Sequence, residues 1–179
     1  VPIIAVHLTR PPVEIPDREA LGMAPHFDAS KGAYLIKDYD SDKEKEGVVI
    51  VRGTSSTNSV VSILPQLKEN GPNIKIVAAI SWGLFQLQPK TYRDSIMTAA
   101  DWYDSMIITN SARRLMQKWT SNRIVHEYTL SPDWDNRWRT GGSLDEIVAE
   151  AQLDPESVLK GIKAFAKNRK KRLSKIKSE

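Results

Sequence analysis

Apolar residues along the chain fall into short, β-branched runs, separated by stretches whose apolar positions recur three or four apart. Gly47–Arg52 (GVVIVR) and Ile74–Ile80 (IKIVAAI) read as buried strands, Ala33–Ile36 as a shorter one, and Tyr103–Thr109 (YDSMIIT) and Arg123–Leu130 (RIVHEYTL) as two more. After Gly53-Thr54-Ser55-Ser56, Val60, Val61, Ile63, Leu64 and Leu67 return at helical spacing. Pro65 predicts a kink or a split in that helix, and Asn70-Gly71-Pro72 ends it. Gln88–Met97 and Ala112–Trp119 also read as helical. Near the end, Ser143 and Glu146 have the spacing of a capping box, and Asp154-Pro155-Glu156 places an N-cap before a proline suited to the first helical turn. Val158, Leu159, Ile162, Phe165 and Ala166 then form a face expected to pack on the body.

Strands that alternate with helices predict a mostly parallel sheet covered on both faces. The polar run Asp38–Glu46 is too short for a crossover helix, so the first body strand is expected to run antiparallel to its neighbour. The expected fold class is α/β: a three-layer α/β/α sandwich on an about five-stranded, mostly parallel sheet with one antiparallel strand. Residues 1–17 stand apart. Val1–Arg10 (VPIIAVHLTR) has the composition of a strand but no hairpin return, and the prolines that follow favour an extended path. This segment reads as the end of a preceding domain plus a proline-rich linker, residues 18–166 as the α/β domain, and 167–179 as a basic tail.

Composition narrows the chemistry. The 179 residues contain no cysteine, which excludes disulfides, thiolate metal sites and a cysteine nucleophile. The three histidines, His7, His26 and His126, have no metal-ligand spacing. Apolar runs stay too short to span a bilayer, no basic-then-apolar leader opens the chain, and the expected compartment is the cytoplasm. Of the net charge of +4, residues 167–179 carry +6, so the remainder sums to −2. Without interleaved aromatics the tail reads better as a solvated, frayed helix end than as a nucleic-acid binder.

Candidate sites are few. Gly53-Thr54-Ser55-Ser56 between strand and helix could receive an anion, but it lacks a phosphate-loop motif, and the expected reading is hydroxyl caps on the helix with a turn glycine. Tyr92, Arg93, Asp94, Arg113 and Arg114 read as surface partners, and His126 as a structural histidine on a strand. Trp134, Arg137, Trp138 and Arg139 form a dense cluster, either an interface or a loop stapled to the core by cation–π contacts, with the interface favoured.

Four segments in order, LTRPPVEIP (Leu8–Pro16), KGAYLIKD (Lys31–Asp38), VIVRGTSS (Val49–Ser56) and FQLQPKTYRDSI (Phe85–Ile96), make the chain resemble a transketolase up to about Phe165. The resemblance implies the C-terminal domain of a thiamine-diphosphate-dependent enzyme that moves a two-carbon ketol unit between sugar phosphates. Thiamine diphosphate and its magnesium ion would sit in the preceding domains, so no cofactor residue, metal ligand or catalytic residue carries over to this chain. Arg10 matches the family arginine that binds the substrate phosphate, a role suited to its planar fork. The resemblance also implies a homodimer, completed by the rest of a transketolase polypeptide or by a separate N-terminal subunit, and a chain that is inactive alone.

Departures from the family pattern leave the sugars open. Pro11-Pro12 replace Gln-Asn, Thr57 replaces the Glu of Thr-Gly-Ser-Glu, and Trp138–Ser143 replace a Phe-Gly-x-Ser-Ala-Pro turn. Two alternatives remain at this point. One is the same domain of another thiamine-diphosphate enzyme, of the pyruvate dehydrogenase E1 or deoxyxylulose phosphate synthase type. The other is a stand-alone binding module that uses its basic tail.

Overall fold

The computed structural model describes residues 12–139 and 141–178. Four strands form one sheet: β1 (Ala33–Lys37), β2 (Val48–Arg52), β3 (Lys75–Ala79) and β4 (Ser105–Thr109), in the order β1-β3-β2-β4. The pairs β2–β3 and β2–β4 are parallel, with Ile50 opposite both Val77 and Ile107. β1 runs antiparallel, as expected, but against β3, so Asp38–Glu46 does not close a hairpin with β2.

The pleat sends alternate side chains to opposite faces, and each face has its own core. Val49, Val51, Ile76, Met106 and Ile108 pack under α1 (Thr54–Ser62), α2 (Leu64–Asn70) and the later helices. Val48, Ile50, Val77 and Ile107 pack under α3 (Trp82–Gln86), α4 (Lys90–Ile96) and the 3₁₀ segment Arg113–Trp119. The result is a three-layer α/β/α sandwich. Pro65 splits α1 from α2 at Ile63, as its missing N–H requires. Two short helices escape a periodicity reading: α3, capped by Ser81, and α5 (Ala99–Tyr103), opened by a Thr98–Asp101 capping box.

The expected fifth strand, Arg123–Leu130, is a correction. Asn122 Oδ1 accepts from the N–H groups of Ile124 and Val125 at 3.0 and 3.2 Å and turns Arg123–Tyr128 into a 3₁₀ segment. Leu130 alone reaches the sheet, bridging parallel to Ile108. His126 therefore sits exposed on that segment and not on a strand.

α6 (Leu144–Glu150) begins at the predicted Ser143–Glu146 box, and α7 (Pro155–Lys167) begins at Asp154. Val158, Ile162, Phe165 and Ala166 are buried on the body, as expected. The basic segment beyond is a second correction. It forms a separate helix, α8 (Arg169–Ser178), joined to α7 at Asn168, whose N–H reaches Ala164 O and whose carbonyl accepts from the Arg172 N–H. Arg172 is 1% exposed, with its guanidinium 3.5 Å from the centroid of the Phe165 ring. It donates to Asp104 and to the Phe165 carbonyl. Arg169 donates to the same carboxylate at 2.7 Å. The segment is docked, not frayed, because one buried acid collects two of its arginines.

Candidate functional site

From β2 the chain moves to one side for β3 and then crosses to the other for β4. The connections therefore diverge at the carboxyl ends of β2 and β4, where open α/β sheets leave a crevice for ligands. A cleft of about 900 Å³ lies there, walled by Arg18, Tyr34, Arg52, Thr54, Asn58 and Ser111. A second cleft of about 600 Å³ adjoins it, between Ser55, Asn110, Val148 and Pro155, and Val13 and Glu14 line both.

Gly53 makes the turn between β2 and α1. Its φ is 97°, and an added Cβ would stand 1.8 Å from Asn110 Oδ1. Only glycine meets both demands. The hydroxyls that follow do not cap α1, contrary to expectation. Gly53 holds the cap position, its carbonyl accepts from the Thr57 N–H, and Asn110 Nδ2 donates to Ser55 Oγ at 3.1 Å. Ser56 is fully buried and its Oγ has no hydrogen-bond partner among the described residues.

The cations on the cleft wall are tied to the protein itself. Arg18 lies over the Tyr34 ring at 5.1 Å and donates to Ala24 O at 3.0 Å and Tyr34 Oη at 3.1 Å. Arg52 donates to Leu115 O at 3.4 Å. Asp154, on the second cleft, is occupied as the cap of α7. Burial acts to raise its carboxyl, but bonds from Ser157 hold it below the usual carboxylate range. The His26 ring lies 4.1 Å from that of Phe27 at a tilt of 37°, outside both clefts. The arrangement offers hydrogen bonds and apolar contact but no nucleophile paired with a base. Among the described residues no group of three His, Asp or Glu could hold a metal ion.

Arg10 lies outside the described residues. The other predicted residues do not converge. Tyr92 donates to Ala33 O at 2.8 Å, Arg93 to Gln86 Oε1 at 2.9 Å, and Lys90 pairs with Asp94. Arg113 binds Asp133, while Arg114 is exposed. The tryptophan–arginine cluster divides. Arg139, 5.8 Å from the Trp134 centroid, and Arg137 share Asp135 at 2.7 and 2.8 Å and both reach Glu150 at 3.5 Å. That half is a stapled loop. Trp138 faces outward, 97% exposed, beside a hollow of about 440 Å³.

Sequence reasoning missed two buried polar clusters at the opposite end of the sheet. One is Asp104 with its two arginines. The other is Lys75, which pairs with Asp101 at 3.2 Å while Tyr39 donates to the same carboxylate at 3.0 Å. Burial in this cluster raises the Tyr39 phenol far above its usual range. Neither cluster has a local motif, since partners lie 26 to 68 residues apart in the chain.

Residues 32–129, the sheet and its crossovers, match the family model described as transketolase-like TK C-terminal domain. The chain is similar to the chloroplastic transketolase of Craterostigma plantagineum, at 30% identity over 98 residues, 52% of this chain and 18% of that protein. It is similar to a Nostoc transketolase at 31% identity over 74 residues, 41% of this chain and 10% of the relative. Among solved structures, transketolase from Pichia stipitis in complex with sedoheptulose-7-phosphate superposes with a TM-score of 0.62 at 18% identity, over 84% of this chain and 20% of that one. Transketolase from Leishmania mexicana gives 0.60 at 16% identity, over 80% and 19%. The matched region thus spans a fifth or less of each of these relatives.

Proposed function

Because the chain belongs to the transketolase family, through a C-terminal domain of that type, we propose that it serves as the C-terminal domain of an enzyme transferring a two-carbon ketol unit between sugar phosphates. Its contribution is architecture and an assembly surface, while thiamine diphosphate, magnesium and the reacting groups belong to preceding domains. These come from the same polypeptide or a separate N-terminal subunit, in a homodimer. The observation that carries this reading is the match over the whole sheet, residues 32–129, to the transketolase-like C-terminal domain. Arg10 is assigned to the substrate phosphate, which its planar fork suits. Trp138 is assigned to the assembly surface, since an exposed tryptophan is an unusual expense on a surface that stays wet.

The test is a ketol-transfer assay with phosphorylated sugars on this chain alone and on the chain joined to or mixed with its thiamine-binding domains. The expected result is turnover only in the combined enzyme, with Arg10→Ala raising KM for phosphorylated substrates and leaving non-phosphorylated ones unchanged. Turnover by the isolated chain, or none by the combined enzyme, would refute the proposal.

A further inference from the structure

The segment between Pro132 and Arg139 carries Trp134 and Trp138 with Arg137 and Arg139, and the fold pairs only half of these with each other. Arg139 lies 5.8 Å from the Trp134 ring centroid, with its side chain 10% exposed. Arg137 and Trp138 are left over. The edge of the Arg137 guanidinium holds Asp135 at 2.8 Å, which leaves its planar face open on a side chain 64% exposed. Trp138, almost wholly exposed, stacks on no ring and no cation among the described residues. The segment cannot easily fold the two away. Asp135 accepts from both Arg137 and Arg139, and Glu150 of α6 pairs with both. The exposed indole is thus held in place before anything covers it. Beside it opens the hollow of about 440 Å³, walled by Ala112, Pro132, Asn136 and Arg137.

We propose that this surface binds a second copy of the chain about a two-fold axis, with Trp138 of each copy entering the other's hollow and lying on the face of its Arg137. In a two-fold contact the same patch serves both sides, so whatever one copy offers the other receives. Trp138 needs a cation and Arg137 needs a ring. A second copy supplies both, already at the right separation, and the contact forms twice. A different partner would have to bring a cation and a ring of its own. Charge favours the same choice. The ion pairs around the hollow join Arg113, Arg137 and Arg139 to Asp133, Asp135 and Glu150, three cations to three anions. They oppose a second copy with no excess of like charge, although the chain as a whole carries +4. A contact centred on one indole a side is small, so the association is of the transient class. This inference deepens the assembly-surface assignment of Trp138, but it is tested on the chain without turnover and can fail while the ketol-transfer reading stands.

The experiment is sedimentation velocity of the full chain over a range of concentrations, with one copy fluorescently labelled where two variants are mixed. The wild-type chain is expected to sediment faster as its concentration rises, towards the dimer. Arg137→Ala removes two indole–guanidinium contacts per dimer and should weaken dimerisation about 5–30-fold. Trp138→Ala loses the same contacts together with the burial of two indoles, and should weaken it further. Mixing the two variants is the decisive arm. A homodimer of either variant has no Trp138–Arg137 contact, whereas the mixed dimer keeps one, so it should form more tightly than both. A merely structural effect of either substitution would not produce that rescue. A chain that stays monomeric at every concentration, a dimer that Trp138→Ala leaves unchanged, or a mixed dimer no tighter than the two homodimers overturns the proposal. So does a Trp138 that becomes covered only when the thiamine-binding domains are added. Because both substituted side chains are exposed, circular dichroism is expected to show an unchanged fold.

Discussion

Replacing Asp104 by alanine removes the carboxylate that Arg169 and Arg172 share. The two arginines lose it unequally. Arg169 is partly exposed and turns to water or to Glu44, 3.0 Å away, at little cost. Arg172 is 1% exposed, between the Phe165 and Tyr128 rings, and among the described residues keeps the Phe165 carbonyl alone as a hydrogen-bond acceptor. Breaking one side of a buried pair in this way costs about 3–5 kcal/mol. That is a large part of the roughly 5–15 kcal/mol that holds a domain together. For a domain of this size it corresponds to a Tm lower by about 6–20 °C. The assay is urea unfolding followed by tryptophan fluorescence, with circular dichroism for the helices. Arg169→Ala is expected to cost below about 1 kcal/mol. Asp104→Leu combined with Arg172→Met is expected to recover most of the loss, because an apolar pair owes no desolvation. If Asp104→Ala unfolds at the wild-type urea concentration, Arg172 is solvated and the docking of α8 is refuted.

Three further outcomes are expected. Gly53→Ala forces a side chain into a left-handed turn and against Asn110, costing about 1–3 kcal/mol from backbone strain alone; thermal melts should show Asn110→Ala/Gly53→Ala milder than Gly53→Ala. Burial acts to raise the Asp101 carboxyl, but the Thr98 N–H and Lys75 hold it below its ordinary 3.8. The stability it contributes is therefore complete above that value and lost as pH falls through the lower folded one; Asp101→Asn should flatten stability against pH below about 4. Asp135, bonded by Arg137 and Arg139, is lowered to about 2 and should act in the same direction down to that pH. Trp138→Ala, at a fully exposed position, should weaken self-association in analytical ultracentrifugation without shifting Tm, and an unchanged sedimentation profile would remove it from the assembly surface.

Much of the fold is legible because its signals are local. Val48–Val51 and Ile76–Ala79 are apolar at every position, as strands covered on both faces must be. Pro65, Ser143 and Asp154 act where they stand. Arg123–Leu130 misleads for the opposite reason: its β-branched and aromatic residues suit a strand, while one side chain before it, Asn122, takes the N–H groups a strand would need. α3 and α5, five residues each, are too short to show a period, although Thr98 and Asp101 carry the capping spacing in plain view. The basic segment is the hardest to read. Nothing in KNRKKR says which cations turn inward, because the acid that selects Arg169 and Arg172, at the end of α5, lies more than sixty residues earlier. The clefts are equally hidden, since Gly53 and Asn110 meet only once β2 and β4 lie side by side.

The 3₁₀ segment Arg123–Tyr128 has an importance beyond its length. β4 is buried along all five residues and pairs with β2 on one side only. On the other side its backbone meets the chain at Leu130, whose N–H reaches Ile107 O and whose carbonyl accepts from Thr109, both at 2.9 Å. The rest of that margin is shielded by the 3₁₀ segment packed beside it. Ser105–Thr109 (SMIIT) is uncharged, β-prone and free of proline, the composition of a self-templating strand. If the turn held by Asn122 opens while the sheet stays intact, the domain acquires a bare apolar edge to which a second molecule can add. Replacing Asn122 by alanine is therefore expected to appear first as fibrillation at temperatures where the native spectrum is still unchanged.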